Sequence, residues 1–296
     1  MNRTHPTRPI VLTIAGFDPS GGAGIIADIR TIESFGCTPV AAITSITFQN
    51  AKEFRGAVHQ RAASVRAQIE SILAEHEIAA VKIGMLPTAE VVREVAQLIR
   101  ERNLPAPVVD PVMESTIGGR LMADDAFEVL VTELLPLARV VTPNIPEAEK
   151  LAGINIKDEQ GMRQAAARIR ELGARAVLVK GGHLQEQTPG IRGQTSERGN
   201  GPTVREGSYS LTPEAVDVLD DAGQITVLRG EWIDVPPVRG TGCILSAAIT
   251  CCLAQQLALE KSVQTAKRFV SDAIRYAPRL QSEPVTLELT EFHRKN

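Results

Sequence analysis

Short Val- and Ile-rich runs alternate along the chain with segments whose apolar residues recur at three- and four-residue spacing. The runs at 9–15, 39–46, 79–84, 107–112, 139–142 and 176–180 are the predicted strands. Between them, Val65, Ile69, Ile72 and Leu73 make one helical stripe. Val91, Val92, Val95, Leu98 and Ile99 make another, behind Thr88 as an expected N-cap. Gly36 and Gly173 follow helical runs, where a left-handed residue closes a helix. Such alternation of strand and helix predicts right-handed crossovers and a mostly parallel sheet. In that architecture ligands sit where the carboxyl ends of the strands open into loops, so the chemistry is expected there.

From about 184 to 213 the periodicity lapses into a glycine-rich stretch with few large apolar residues, expected to be a mobile surface insertion. A further strand signal at 225–228 and two helical patterns at 241–257 and 260–276 follow. The expected organisation is a single domain over 9–277. A tail, 278–296, has only a weak alternation at Val285, Leu287 and Leu289.

Composition narrows the function classes. With 43% hydrophobic residues but only 3% aromatic, the core must be made of Ala, Val, Ile and Leu, as in helices packed on a buried parallel sheet. Thirty-two basic and 35 acidic residues give a formal charge of −3, with neither sign gathered into a long block. Nucleic acid and anionic lipid are therefore not expected partners. The first nine residues lack an apolar core, and no run approaches the roughly 18 apolar residues of a membrane span, so a cytoplasmic protein is expected. Cys37, Cys243, Cys251 and Cys252 show no metal or disulfide spacing. Three are expected in the core, with Cys243 set apart.

Gly240-Thr241-Gly242-Cys243 stands directly ahead of an apolar helical run. Small residues there let backbone N–H groups converge on an anion, and the helix dipole adds positive charge at the same place. In that field Cys243 would favour the thiolate and accept a proton. An ordinary glycine-rich helix start with a buried cysteine is the plainer alternative. A second glycine-rich stretch, residues 15–24, follows the first strand and precedes a helix containing Asp28, but departs from both the dinucleotide and the P-loop patterns. Asp18 before Pro19 reads as a turn former, and Asp28 alone as a solvated charge. Asp110, Asn144 and Glu147 lie at predicted strand ends, where two carboxylates suit Mg²⁺; turn, helix cap and first-turn charge are their structural alternatives. Lys180, beside Gly181 and Gly182, either reaches a nucleotide phosphate or is simply solvated.

In order and spacing these elements resemble the hydroxymethylpyrimidine kinase family over nearly the whole chain, the ends and the 184–213 stretch excepted. The resemblance is carried by Thr13 to Asp28, by Gln49-Asn50, by Lys82-Ile83-Gly84-Met85-Leu86 and by Asp110-Pro111-Val112-Met113. It continues through Thr142-Pro143-Asn144-Ile145-Pro146-Glu147-Ala148-Glu149, Val179-Lys180-Gly181-Gly182-His183, Asp217 with Leu219 and Asp221, and Gly240-Thr241-Gly242-Cys243. It implies a ribokinase-like α/β fold, with a mostly parallel central sheet flanked by helices on both faces, usually as a homodimer. The implied reaction passes the γ-phosphoryl group of ATP to a hydroxymethylpyrimidine and then to its phosphate, in thiamin biosynthesis. By the same resemblance Gly16, Asp28, Gln49 and Met85 would line the pyrimidine pocket, and Asp110 and Glu147 would organise Mg²⁺. Asn144 and Lys180 would meet nucleotide phosphates, Gly240, Thr241 and Gly242 would form the anion hole, and Cys243 would be the base.

Two departures stand out. Val238-Arg239 replaces the Thr-His pair that the family commonly has before its anion hole. The loop 114–120 lacks the Lys or Asp that many relatives carry there. Two other readings compete. Pyridoxal kinases share the fold and a cysteine at the same motif, and Gln49, whose amide suits an aminopyrimidine, is the discriminator. A non-catalytic vitamin-precursor sensor would keep the pocket without the chemistry; Asp110, Glu147 and Cys243 argue against it, and Val238-Arg239 for it.

Overall fold

The computed structural model describes residues 8–115, 118–181, 214–235 and 238–276. The chain runs from β1 (Ile10–Phe17) through α1 (Gly24–Ser34) to β2 (Thr38–Gln49), and turns back at once into β3 (Phe54–His59). It continues as α2 (Ala62–Leu73), β4 (Ala80–Ile83), α3 (Ala89–Glu101), β5 (Val108–Val109), α4 (Asp124–Val129) and β6 (Val140–Val141). Then come α5 (Ile145–Ala152), α6 (Glu159–Glu171), β7 (Ala176–Lys180), β8 (Glu214–Asp221), β9 (Gln224–Glu231), α7 (Thr241–Ala254) and α8 (Leu259–Tyr276). All nine strands lie in one sheet, in the order β3-β2-β1-β4-β5-β6-β7-β8-β9. The six from β2 to β7 in that order pair in parallel, while β3, β8 and β9 join the two edges through antiparallel pairings. The strand order reverses between β1 and β4, the switch point at which open parallel sheets bind their ligands.

Period-two alternation decides which helix each strand residue meets. Val109, Val141, Val177 and Val179 face the helices α2 to α6, whereas Val108, Val140, Ala176 and Leu178 face α7 and α8. Burial on both faces is why these strands are apolar without interruption. Helix α3 shows the one-sided version: its buried residues fall on a single stripe, and Thr88 caps it by accepting a hydrogen bond from the Val91 amide at 3.4 Å. Helix α7 is buried nearly all round, so its sequence is rich in small residues, Ser246, Ala247, Ala248, Thr250, Cys251 and Cys252.

The sheet departs from the sequence expectation at its edges. β3 carries little apolar character, contains Gly56 and is held by its antiparallel pairing with β2, while β8 carries four acidic residues yet is buried from Asp217 to Asp220 between β7 and β9. β2 extends past 46 to Gln49 because β3 pairs with its far end. The 184–213 insertion and the 278–296 tail lie outside the described residues.

Candidate active site

The amino end of α7 is closed to side chains. Gly240 has φ 75°, and a Cβ there would lie 2.0 Å from the Gly22 carbonyl oxygen, so the backbone at 240 rests directly on the loop after β1. A Cβ at Gly242 would lie 3.0 Å from Lys180 Nζ and 3.5 Å from Asp110 Oδ2. The first turn of this 14-residue helix therefore packs close to an ammonium and a carboxylate, with little room for a side chain at 242. Cys243 is the third residue of the helix. Burial pushes its thiol up to about 11, against the opposing pull of Lys82 and a hydrogen bond from the Gly24 amide. The thiolate expected from the helix field is thus reversed here, because desolvation outweighs it and the thiol is protonated at neutral pH.

On the β1–β4 side, Thr13 and Lys82 are cross-strand register partners, so their side chains share the face covered by α1. Both end on Asp28. Thr13 Oγ1 donates at 2.6 Å, and Lys82 Nζ donates to the two carboxylate oxygens at 2.8 and 3.0 Å. Lysine and aspartate side chains are both 0% exposed. Burial raises the Asp28 carboxyl above its ordinary value against the pull of Lys82. Burial also works against the Lys82 charge, but Asp28, then Cys243 and Asp110, outweigh it and hold the ammonium above its usual range. Asp28 is therefore not a solvated charge; it is buried with both oxygens engaged. Above it Gly16 and Met85 touch: a side chain at 16 would meet Met85 Sδ at 2.8 Å. Thr44 Oγ1 fixes the Met85 carbonyl at 2.7 Å. Gln49 ends β2, half-buried, and its neighbour Asn50 turns the chain into β3.

On the β5–β7 side, Asp110 follows β5 and accepts from Lys180 Nζ at 2.9 Å and Thr142 Oγ1 at 3.2 Å. Burial opposes its charge, but Lys180 and Lys82 prevail and hold the carboxyl below its ordinary value. Lys180, at the end of β7, is likewise held up by Asp110 and Glu147 against burial. Its side chain is 15% exposed, unlike that of Lys82. Asn144 caps α5 in a reciprocal pair: its Oδ1 accepts from the Glu147 amide at 2.9 Å, and Glu147 Oε2 accepts from the Asn144 amide at 2.9 Å. The cap alternative is realised for Asn144, and Glu147 stands in the first turn of α5 as the other half of the capping box. Burial lifts Glu147 to about 7, with Lys180 opposing and Asp110 adding to the rise.

Cys243, the cradle, Asp28, Asp110, Asn144, Glu147 and Lys180 are thus gathered at the carboxyl ends of the parallel strands around one helix end. A cavity of about 650 Å³ bounded by Glu70, Ile78, Arg102 and Pro105 lies at the opposite ends of β4 and β5, away from them. Two participants escaped sequence reasoning. Lys82 carried a signal, since a lysine inside the buried run Ala80–Ile83 must have a partner in the core. Arg239 carried only its oddity; it is 7% exposed and pairs with Asp18, whose Oδ2 lies 3.3 Å away.

Comparison with known proteins agrees with this geometry. The family model described as phosphomethylpyrimidine kinase matches residues 18–287. A hydroxymethylpyrimidine/phosphomethylpyrimidine kinase of Streptomyces coelicolor is 38% identical over 268 residues, covering 90% of this chain and 89% of that one. Among solved structures, the ADP complex of Bacillus subtilis pyridoxal kinase is similar with a TM-score of 0.78 and 32% identity, covering 95% of this chain and 98% of that one. Phosphomethylpyrimidine kinase from Clostridium difficile is similar with a TM-score of 0.71 and 34% identity, covering 90% of this chain and 100% of that one. The α/β architecture is thus the ribokinase-like one that the sequence resemblance implies, and the chain, a phosphotransferase, belongs to the phosphomethylpyrimidine kinase family.

Proposed function

We propose that the chain transfers the γ-phosphoryl group of ATP to the hydroxymethyl oxygen of 4-amino-5-hydroxymethyl-2-methylpyrimidine and, in a second turnover, to its monophosphate. The observation that carries this reading is the position of Cys243, at a helix N-terminus between two acid–lysine pairs, one sealed and one open. The N–H groups of the first turn of α7 are aimed where charge develops on the transferring group, and preorganised donors of this kind are a large part of such catalysis. Lys180 adds a cation on the nucleotide side. Cys243 takes the hydroxymethyl proton. Only the thiolate can accept that proton, and with the thiol pushed up to about 11 this form is the minority at neutral pH and grows as the pH rises. Gly16 and Met85 form the slot for the ring, and the Gln49 amide offers an NH₂ and a C=O to the aminopyrimidine edge.

Bound with ATP, Mg²⁺ would supply charge neutralisation at the phosphates. Asp110 and Glu147 would hold it. They fit a magnesium ion, which needs only one or two carboxylates when the nucleotide supplies the other ligands. Among the described residues there is no cluster of three or more His, Cys, Asp or Glu side chains, as a dedicated protein cage would need.

The working form we propose is a cytoplasmic homodimer. Among the described residues no helix is long and apolar enough to cross a membrane. Ile46, Phe48 and Val58 are 41%, 50% and 53% exposed on one face of the β2–β3 edge, which a second copy would cover. Light scattering of Ile46→Glu should then show monomer where the parent chain shows dimer.

A second reading, phosphorylation of pyridoxal, is favoured by the likeness to the Bacillus subtilis pyridoxal kinase. ADP release measured with hydroxymethylpyrimidine and pyridoxal side by side separates the two. Faster turnover of the pyrimidine supports the proposal, faster turnover of pyridoxal favours the second reading, and turnover of neither favours a non-catalytic sensor.

A further inference from the structure

Arg239 stands immediately before the anion cradle, and its guanidinium is engaged on three sides. One terminal nitrogen donates to the Asn50 carbonyl at 2.7 Å and to Ser20 Oγ at 3.3 Å; the other donates to Asp18 Oδ2 at 3.3 Å. Asp18 is 1% exposed, and its second oxygen accepts from the Ser20 amide at 2.9 Å and the Ser20 hydroxyl at 2.7 Å. A Cβ at Gly22 would lie 3.7 Å from both Arg239 Nη1 and Asp18 Oδ2, so the loop backbone packs against this pair. Three segments distant in sequence therefore meet at one side chain: the loop 18–24 after β1, the turn that follows Gln49, and the start of α7.

Each segment reaches the reaction by a short path. Loop 18–24 rests on Gly240 through the Gly22 carbonyl, and at its far end the Gly24 amide points at the Cys243 sulfur. Asn50 is the residue after Gln49. With its donors turned toward Asp18, Ser20 and Asn50, the guanidinium acts as a clamp and not as a phosphate ligand. A buried, planar, permanently charged fork suits that task, because it makes several directed hydrogen bonds at once.

We infer that Arg239 is a positioning residue that clamps the loop after β1 and the β2–β3 turn onto the anion cradle, setting the geometry of Cys243 and Gln49 without touching substrate. The inference rests on the proposed pyrimidine kinase reading for its kinetic part only. Nothing on the nucleotide side, Asp110, Asn144, Glu147 or Lys180, touches the clamp.

The test compares the parent chain with Arg239→Met, Arg239→Lys and the double variant Asp18→Asn/Arg239→Met, which removes the unpaired buried carboxylate and keeps a folded protein in hand. Two readouts are taken on samples matched for folded fraction by circular dichroism. The first is the rate of iodoacetamide labelling of Cys243, mapped by mass spectrometry, which needs no substrate. Loosening the loop over the sulfur should speed labelling about tenfold in Arg239→Met and in the double variant, and less in Arg239→Lys. The second is ADP release with hydroxymethylpyrimidine. Here kcat should fall on the order of 10- to 100-fold and the pyrimidine KM should rise, with the ATP KM held within about twofold. Unchanged labelling in both Met variants would overturn the inference whatever the substrate proves to be. A rise confined to the ATP KM would also overturn it, by making Arg239 a nucleotide contact. If the parent chain turns over no pyrimidine while labelling accelerates as expected, the substrate assignment fails and the clamp stands.

Discussion

The two sides of the Cys243 site are built from the same parts and finished differently. Each contributes one lysine from the sheet and one aspartate. On the side proposed for the pyrimidine Lys82 and Asp28 are 0% exposed and joined by Thr13; on the side proposed for the nucleotide Lys180 keeps 15% of its side chain exposed beside Asp110 and Gly242. A sealed pair cannot exchange its partner, so it holds a fixed arrangement of charge within the core. An open pair can share its lysine with a ligand that arrives carrying negative charge. The difference matches the two substrates: a small aromatic alcohol needs shape and directed hydrogen bonds, and a nucleotide triphosphate needs cations within reach.

The largest effect should come from the residue between the two sides. Cys243→Ala should lower kcat by about 10²- to 10⁴-fold with little change in either KM, as expected on deleting a general base. With the thiol pushed up to about 11, the parent kcat/KM should rise with pH between 7 and 9, and that rise should vanish in the alanine variant. Steady-state ADP release across that range checks both.

The sealed pair should be the more costly one to break. Lys82→Met strands a buried carboxylate and should cost about 3–5 kcal/mol, whereas Asp28→Leu/Lys82→Met should recover most of it. Urea unfolding of the three proteins measures this directly.

Next comes the acid that closes the nucleotide side. Glu147 keeps its proton up to about 7 in the folded chain but loses it near 4.5 when unfolded. The folded state therefore binds more protons between those values, and stability should fall as pH rises through that window and level off above it. Glu147→Gln should flatten the decline, by on the order of 1–3 kcal/mol between pH 5 and 7.5 in urea titrations. The smallest effect is expected at the open pair. Lys180→Met should raise the ATP KM about tenfold and cost less stability than Lys82→Met, because Lys180 is the less buried lysine and Asp110 keeps Thr142 as a donor. Equal stability losses at the two lysines would erase the distinction between the sides.

The sequence made the central sheet legible because β1, β4 and β7 are buried on both faces and read as mainly apolar runs, interrupted by Thr13 and Lys82 where they meet Asp28. The edge strand β3 gave no such signal, being held by an antiparallel partner whose hydrogen bonds leave no mark on residue type, and in β8, which lies between β7 and β9, acidic residues break the apolar run. In the site, glycines and strand-end acids were visible because their spacing is local. Asp18 read as a turn former, and it does hold Ser20 in a turn, but its pairing with Arg239 joins residues 221 positions apart. The protonated state of Cys243 was equally out of reach, since burial, which sets it, belongs to the fold and not to the motif.

The central claim, that the pyrimidine side is shaped for an aminopyrimidine, is tested most directly by kcat/KM of Gln49→Leu for hydroxymethylpyrimidine and for pyridoxal, each relative to the parent chain. An aminopyrimidine presents a ring nitrogen acceptor beside an amine donor, and the glutamine amide answers both in one plane. Pyridoxal offers a phenolic oxygen and an aldehyde instead. Loss of the amide should cost the pyrimidine roughly 1–3 kcal/mol and pyridoxal less. An equal loss for both substrates, or a larger one for pyridoxal, would contradict the account.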